Sequence, residues 1–153
     1  MGRKKAILVI AALLLVTSTS AQERRIKRSD LPAPVAQTAA TESKGATVRG
    51  YAQETENGQT VYEVKLTFNG HTKDVQIDVS GNVLEVEEQV DIDKLPNEVK
   101  AALVAKAGAG TIAKVESLTK KQKLVAYEAQ VNNNGKKSEI QVGPTGAPLD
   151  HEE

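Results

Sequence analysis

Histidines, cysteines and closely spaced carboxylates are the residues with which this chain could catalyse a reaction or hold a metal ion. The chain has no cysteine and only two histidines, His71 and His151, which lie far apart in sequence. The absence of cysteine excludes a thiolate nucleophile and Cys-ligated zinc, and two isolated histidines do not make a convincing zinc site. These residue types therefore point away from an enzyme.

One acidic segment has the outline of a calcium loop. Residues 78–82 (DVSGN) offer oxygen ligands, and Glu85 and Glu87 follow closely. An EF-hand loop also needs a bidentate glutamate at its twelfth position, which this segment lacks. Asp, Ser, Gly and Asn are typical of tight turns, so we interpret the segment as a hairpin turn.

The common catalytic and nucleotide-binding motifs are absent from the sequence. No glycine-rich loop ends in Lys-Ser or Lys-Thr, and no nucleophile-elbow sequence occurs. Lys and Arg number 20, as do Asp and Glu, which gives no basic surface for nucleic acid. The sequence therefore predicts a non-enzymatic protein with no catalytic residues, no metal ligands, no cofactor and no nucleic-acid partner.

The first 21 residues have the three parts of an export signal. A basic start precedes the apolar run Ala6–Val16, and small residues follow it up to Ala21. As a helix this run would span about 16 Å, roughly half of a bilayer's hydrocarbon core, so an uncleaved anchor is the less favoured alternative. We expect residues 1–21 to be removed, leaving a periplasmic or secreted protein with no membrane span and a disordered tether at residues 22–29.

The rest of the sequence contains an internal repeat. The motif Leu-Pro-x-x-Val begins at Leu31 and again at Leu95, and Asn-Gly begins at Asn69 and again at Asn134. Repeats of this length indicate one supersecondary unit used twice. The predicted organisation is a first unit at 30–88, an acidic linker at 89–94 and a second unit at 95–153.

Each unit is predicted to contain a helix followed by antiparallel strands. Apolar residues recur at every fourth position from Leu31 to Ala39 and from Leu95 to Ala107, which indicates one amphipathic helix in each unit. The strands that follow show the alternation of apolar and polar residues that is typical of a half-buried sheet.

The two Asn-Gly dipeptides predict two-residue hairpin turns. The first turn places Tyr62 opposite Ile77, and the second places Tyr127 opposite Val142. In both hairpins this register gathers apolar side chains on one face and polar side chains on the other.

The first strands of the two units are predicted at residues 47–54 and 112–118, where the alternation is poorer. In the strand after residues 80–82, Leu84 and Val86 are expected to point inward. Pro144 cannot donate to a ladder, so the last strand should be short or lie at an edge. An exposed first or last strand could also pair between chains.

Together these features resemble the PepSY family. Leu-Pro-x-x-Val before a helix, a Tyr-centred strand, Asn-Gly and then Val-x-Ile-Asp-Val-Ser-Gly-Asn-Val-Leu carry the resemblance. Two such units in tandem are similar to the PepSY-like proteins related to the β-lactamase inhibitor protein. The expected fold class is α+β, with two repeated units, each a helix packed on a three- to four-stranded antiparallel sheet, joined into one larger curved sheet.

The resemblance also implies a non-enzymatic role in which the protein binds or restrains an extracytoplasmic protein, such as a protease or another hydrolase. Because the helices should cover only the apolar face of the sheet, we expect the polar face to meet this partner. The residues predicted to contact it are Glu63, Lys65, Thr67, Asp74 and Gln76.

Two other functions remain open from the sequence. An envelope protein that binds a cation or a small ligand would use the acidic residues around the linker, which are Glu85, Glu87, Glu88, Asp91 and Asp93. An inert spacer would bind nothing. The basic residues Lys120, Lys121 and Lys123 could meet these acidic residues, or both groups could be solvated surface.

Overall fold

The computed structural model describes residues 23–56 and 58–153, and the predicted signal peptide at residues 1–21 lies outside them. The strands β1 to β8 are Arg24–Ile26, Thr47–Glu56, Gln59–Phe68, His71–Asp78, Val83–Val90, Thr111–Lys120, Lys123–Asn133 and Lys136–Val142. The helices are α1, Ala33–Glu42, and α2, Asn97–Ala107, and a single 3-10 turn precedes each of them, at Arg28–Asp30 and Ile92–Lys94. Neither α1 nor α2 has the length and apolar character needed to span a bilayer.

All eight strands belong to one sheet. Each strand pairs antiparallel with its neighbour in sequence, so that the spatial order is β1 to β8. The β5–β6 pair lies next to the middle of the sheet, and its register runs from Glu85 opposite Lys120 to Val90 opposite Val115. The connection between these two strands contains α2.

The predicted fold class is therefore wrong. The sequence suggested an α+β protein made of two repeated helix-on-sheet units, whereas the structure is mainly β, with two helices on one eight-stranded antiparallel sheet. The prediction failed because alternation within a strand gives its faces but not its neighbours. The ladder between β5 and β6 depends on pairing between residues far apart in sequence.

The two predicted hairpin registers are confirmed. Tyr62 lies opposite Ile77, and Tyr127 lies opposite Val142. Asn69 and Asn134 have φ angles of 50° and 52°, which is the left-handed backbone that the first residue of a type I′ turn adopts. A local turn signal was sufficient here, because the turn and the alternation require the same register.

The strand after the first hairpin differs from its prediction at one residue. Gln76 lies opposite Glu85 and Ile77 lies opposite Val83, so Leu84 is the extra residue of a bulge. The bulge shifts the alternation, and Val83 packs into the apolar cluster together with Val86. The predicted inward position of Val86 is confirmed, whereas Leu84 is half-buried and lies outside this cluster.

Both helices cover the same face of the sheet. Val35 and Ala39 of α1 pack on apolar side chains of β3 and β4, and Val99 and Leu103 of α2 pack on those of β6 to β8. All four helix residues are almost completely buried. Each buried large aliphatic side chain contributes about 1.5–3 kcal/mol, so these contacts hold the helices on this face.

The two edges of the sheet are β1 and β8. Arg24–Ile26 form β1 and pair with β2 within the segment that the sequence predicts to be a disordered tether, residues 22–29. At the other edge, β8 ends at Val142, just before Pro144, and the prediction of an edge position for the last strand is confirmed.

Candidate protein-binding face

The sheet surface opposite α1 and α2, here called the helix-free face, is rich in carboxylates. The strand registers place one set of polar side chains on this face across β3 to β8, namely Glu63, Asp74, Gln76, Glu85, Glu87, Glu116, Glu128 and Gln141. No helix of the described chain covers them, so this face is the candidate functional site.

The five residues predicted to contact a partner all lie at the β3–β4 end of this face. Glu63 is opposite Gln76, Lys65 is opposite Asp74, and Thr67 is at the end of the same row. They are less exposed than the sequence suggested, because the Glu63 and Asp74 side chains are only 12% and 17% exposed. Whether they bind a partner stays a prediction.

Intramolecular ion pairs hold this end of the face together. Lys65 Nζ lies 3.1 Å from Glu63 Oε2 and 2.8 Å from Glu23 Oε1, next to β1. Arg49 forms an ion pair with Asp74. The position of β1 therefore brings the Glu23 carboxylate to Lys65 of β3. This ion pair favours an ordered segment where the sequence predicted a disordered tether.

Three carboxylates of this region come close enough to hold a cation. One oxygen each from Glu23, Glu54 and Glu63 lie within 4.8 Å of one another. The ammonium group of Lys65 already bonds with Glu23 and Glu63, and the pKa of Lys65 is raised because these contacts outweigh its desolvation. A metal ion would have to compete with this lysine, so we assign no metal site here.

The β6–β8 part of the face combines buried carboxylates with buried apolar groups. Glu116 is 3% exposed and accepts a hydrogen bond from Lys114 Nζ at 2.7 Å. Gln141 Nε2 donates to Glu128 Oε2 at 2.8 Å. Leu118 is also almost fully buried on this face. The face is thus partly dehydrated rather than freely solvated.

Dehydration and mutual repulsion change the protonation of two glutamates. Burial, followed by the charges of Glu116 and Glu85, raises the pKa of Glu87 to about 8. Burial also raises the pKa of Glu63 to about 7, although Lys65 opposes this effect. Near neutral pH the face therefore holds carboxyl groups close to their titration midpoint, and a neighbouring positive charge would favour their ionised forms.

The acidic residues around the predicted linker do not form one cluster. Glu85 and Glu87 lie on the helix-free face, whereas Glu88 lies on the opposite face of the same strand. Asp91 accepts a hydrogen bond from the backbone of Asp93 in the 3-10 turn before α2. Asp93 itself pairs with Lys100, which lowers the pKa of Asp93. This separation weakens the case for a cation site at the linker.

One basic residue of the β6–β7 hairpin does meet the acidic residues of β5. Lys120 lies opposite Glu85, and its Nζ is 3.2 Å from Glu85 Oε2. The pair lies on the helix-free face and is also close to Glu153, at 3.5 Å from Lys120. The backbone nitrogen of Glu153 donates to Gln141 Oε1 at 2.8 Å, so the last residue of the chain touches the margin of this face.

The segment with the outline of a calcium loop is a hairpin turn, as predicted. The carboxylate of Asp78 accepts hydrogen bonds from the backbone nitrogens of Ser80 and Asn82 and from the Asn82 side chain. These bonds, led by the Asn82 side chain, lower the pKa of Asp78. The side-chain oxygens of Asp78 therefore stabilise the turn.

The two histidines lie in different parts of the structure, His71 at the start of β4 and His151 in the segment after β8. His71 begins β4 opposite Phe68, as the hairpin register predicts. It also lines a groove of about 470 Å³ beside the start of α2, together with Leu95 and Tyr127. His151 is exposed and lies 3.9 Å from Glu153. The two histidines are thus not brought together.

Sequence reasoning missed Glu116 as a member of the face and grouped Glu85 and Glu87 with the acidic residues around the linker. The ladder of β5 with β6 brings these three carboxylates to one surface. The only sequence signal for the position of Glu116 on this face is the alternation of β6. That alternation is interrupted by a register shift between Ile112 and Lys114.

Several solved structures have a similar fold. A DUF2874 family protein from Bacteroides ovatus superposes with a TM-score of 0.61 at 22% identity, over 78% of this chain and 85% of that one. An inferred periplasmic protein from Bacteroides eggerthii gives 0.62 at 20% identity, over 78% and 86%. A BLIP-like protein from Bacteroides fragilis gives 0.57 at 20% identity, over 78% and 83%. No protein-family model and no curated protein matches the chain.

These likenesses establish the fold class of this chain. It has the fold of DUF2874 and BLIP-like proteins. The resemblance to tandem PepSY-like proteins is not tested by these matches and stays a prediction.

Proposed function

We propose that this protein is exported and binds another protein outside the cytoplasm through its helix-free face, without catalysing a reaction. An extracytoplasmic location is favoured by the export signal expected at residues 1–21 and by the inferred periplasmic location of a protein with the same fold. A binding role is favoured by the BLIP-like description of another such protein. The finer proposal, that the partner is a protease or another hydrolase, rests on the sequence resemblance.

The observation that carries this proposal is a broad sheet face that both helices leave uncovered and on which carboxylates converge. Glu85, Glu87, Glu116 and Glu128 occupy adjacent positions on three neighbouring strands. Burial, together with repulsion from Glu116 and Glu85, raises the pKa of Glu87 to about 8. A lysine or arginine side chain of a partner would neutralise this repulsion, and complementary charge gives both specificity and faster association.

We therefore expect a partner that presents basic side chains to this face. The predicted contact residues would contribute at one end, where Glu63 and Asp74 supply carboxylates beside Lys65, Thr67 and Gln76. The helix-free face offers carboxylates, amides and lysines for ion pairs and hydrogen bonds, so it is suited to recognition.

The test is affinity capture from the extracytoplasmic extract of the source organism, with three immobilised proteins in parallel. These are the wild type, the double variant Glu87→Gln/Glu128→Gln, and the double variant Glu88→Gln/Glu98→Gln. The first pair removes two charges from the helix-free face, and the control pair removes two from the helix-bearing side.

A protein retained by the wild type and the control, but lost with the first double variant, would support the proposal. Its identification and an assay of its activity, with and without this protein, would then test the hydrolase hypothesis. Equal retention by all three proteins would refute the helix-free face as the binding surface.

A further inference from the structure

The free edge of β8 exposes backbone groups that no strand of the described chain pairs. β8 is the terminal strand of the sheet, and residues 136–139 are exposed. Unpaired N–H and C=O groups at a sheet edge are a template for another strand. An occupant of this edge would therefore bind by extending the sheet.

The hairpin geometry determines which residues present these groups. In a two-residue hairpin the pair next to the turn is hydrogen-bonded, and hydrogen-bonded and non-bonded pairs then alternate along the strands. With the observed register, the backbone groups of Lys137, Glu139 and Gln141 point away from β7. Consistent with this, the Gln141 carbonyl accepts a hydrogen bond from Lys106 Nζ at 2.9 Å. Lys137 and Glu139 remain available to a second chain.

The charges of these two residues make the edge complementary to itself in one register. If two copies of β8 align antiparallel about Ser138, Lys137 of each lies opposite Glu139 of the other. Sliding by two residues instead places Glu139 opposite Glu139 or Lys137 opposite Lys137. Opposite charges directly across a ladder are favourable and like charges are unfavourable, so the first register is selected.

We propose that two copies of this protein form a symmetric dimer by antiparallel pairing of their β8 strands about Ser138. Each of the two Lys137–Glu139 pairs would exchange both backbone hydrogen bonds. Lysine on an edge strand normally discourages pairing, but here Glu139 reverses that effect for a second copy.

The dimer would join two helix-free faces into one continuous surface. Lys137 and Glu139 lie on that face, since Glu139 is opposite Gln130 and Lys137 is opposite Asn132. Only residues 136–140 of each copy would pair, which is a small contact beside a standard interface of about 1,600 Å². We therefore expect a weak dimer, with a dissociation constant of the order of 10–100 μM at low salt. The inference does not depend on the proposed function.

Sedimentation equilibrium on the chain from Glu23 onward, between about 10 μM and 1 mM in low salt, tests this proposal. We expect a reversible monomer–dimer equilibrium that shifts toward monomer as salt is added, because the charge pairs are exposed. The single variants Lys137→Glu and Glu139→Lys each create two like-charged pairs and should weaken the dimer about tenfold or more. The double variant K137E/E139K restores opposite charges and should recover the dimer.

A second pair of variants tests the backbone contribution. Glu139→Pro removes an N–H that β7 does not use, and should abolish the dimer while the far-ultraviolet circular dichroism of the monomer is retained. Glu139→Gln is its control, and should weaken the dimer less. A wild type that stays monomeric at 1 mM would overturn the proposal, as would a dimer whose affinity is unchanged in both single charge reversals.

Discussion

The raised pKa of Glu87 predicts that this protein becomes less stable as the pH rises through neutrality. The pKa of this carboxyl group is 4.5 in its ordinary environment and about 8 in the folded protein. Between these values the folded state binds more protons than the unfolded state, so the free energy of unfolding falls as pH rises. The stabilising contribution is fully present below pH 4.5 and is lost by about pH 8.

The magnitude follows from the size of the shift. One pKa unit corresponds to about 1.4 kcal/mol, so the whole shift would amount to about 5 kcal/mol if it belonged to Glu87 alone. Glu85, Glu116 and Glu128 share the repulsion, and solvent screens charges on a face that no helix covers. We therefore expect about 1–3 kcal/mol between pH 5 and pH 8.5.

The variant Glu87→Gln isolates this effect, because an amide resembles the protonated carboxyl group in shape and charge. Urea unfolding should give nearly equal stabilities for wild type and variant at pH 5, and a more stable variant at pH 8.5. The control Glu88→Gln lies on the opposite face of the same strand, and should change stability by less than about 0.5 kcal/mol at either pH.

The lowered pKa of Asp78 has the opposite effect on the pH dependence of stability. Its stabilising contribution is lost only as the pH falls below the ordinary value of 3.8, which lies outside the range from pH 5 to pH 8.5. The raised pKa of Glu63 lowers stability with rising pH, as that of Glu87 does. The stability of the Glu87→Gln variant should therefore still fall slightly as the pH rises. A wild type whose stability is constant or increases from pH 5 to pH 8.5 would refute the reasoning, as would a Glu87→Gln variant with the same pH slope.

Two further predictions concern a close contact at α2 and a buried ion pair of the helix-free face. Gly146 has a φ of 81°, and a Cβ there would lie 2.6 Å from the Glu98 carbonyl oxygen, so Gly146→Ala should lower the free energy of unfolding in urea by about 2–4 kcal/mol. The control Gly135→Ala has a similar φ but open space around it, and should lower it by only about 1 kcal/mol. Equal losses in the two variants would contradict the close-contact argument. Lys114→Gln leaves the buried Glu116 carboxylate without its cation and should lower the free energy of unfolding by about 1–3 kcal/mol at pH 8. Adding Glu116→Gln should restore most of this loss. A Lys114→Gln variant as stable as the wild type would show that the pair contributes nothing to stability.

The hairpins could be predicted from the sequence because their signals are local. Asn69 and Asn134 each begin a turn whose required backbone conformation few other residues adopt, and the alternation around Tyr62 and Tyr127 allows only one register that keeps apolar groups on one face. The apolar stripes of both helices were equally readable, since Val35 and Leu103 face the sheet as predicted.

The bulge at Leu84 could not be predicted in the same way. The stability of this bulge depends on how β5 fits between β4 and β6. The sequence of residues 83–90 does not determine that fit by itself. The same holds for β1, since Arg24–Ile26 have no apolar alternation and become a strand only because the edge of β2 is available for pairing.

In the candidate site, too, some features follow from the local sequence and others only from long-range strand pairing. The sequence determined that Glu63, Lys65 and Asp74 share a polar face, because alternation within a hairpin fixes the faces of its strands. It could not determine that Glu87 and Glu116 would meet, since a residue's neighbours across a ladder depend on long-range pairing. Burial and repulsion among such neighbours exist only in the folded sheet, and for this reason the tertiary structure alone decided where the dehydrated carboxylates converge.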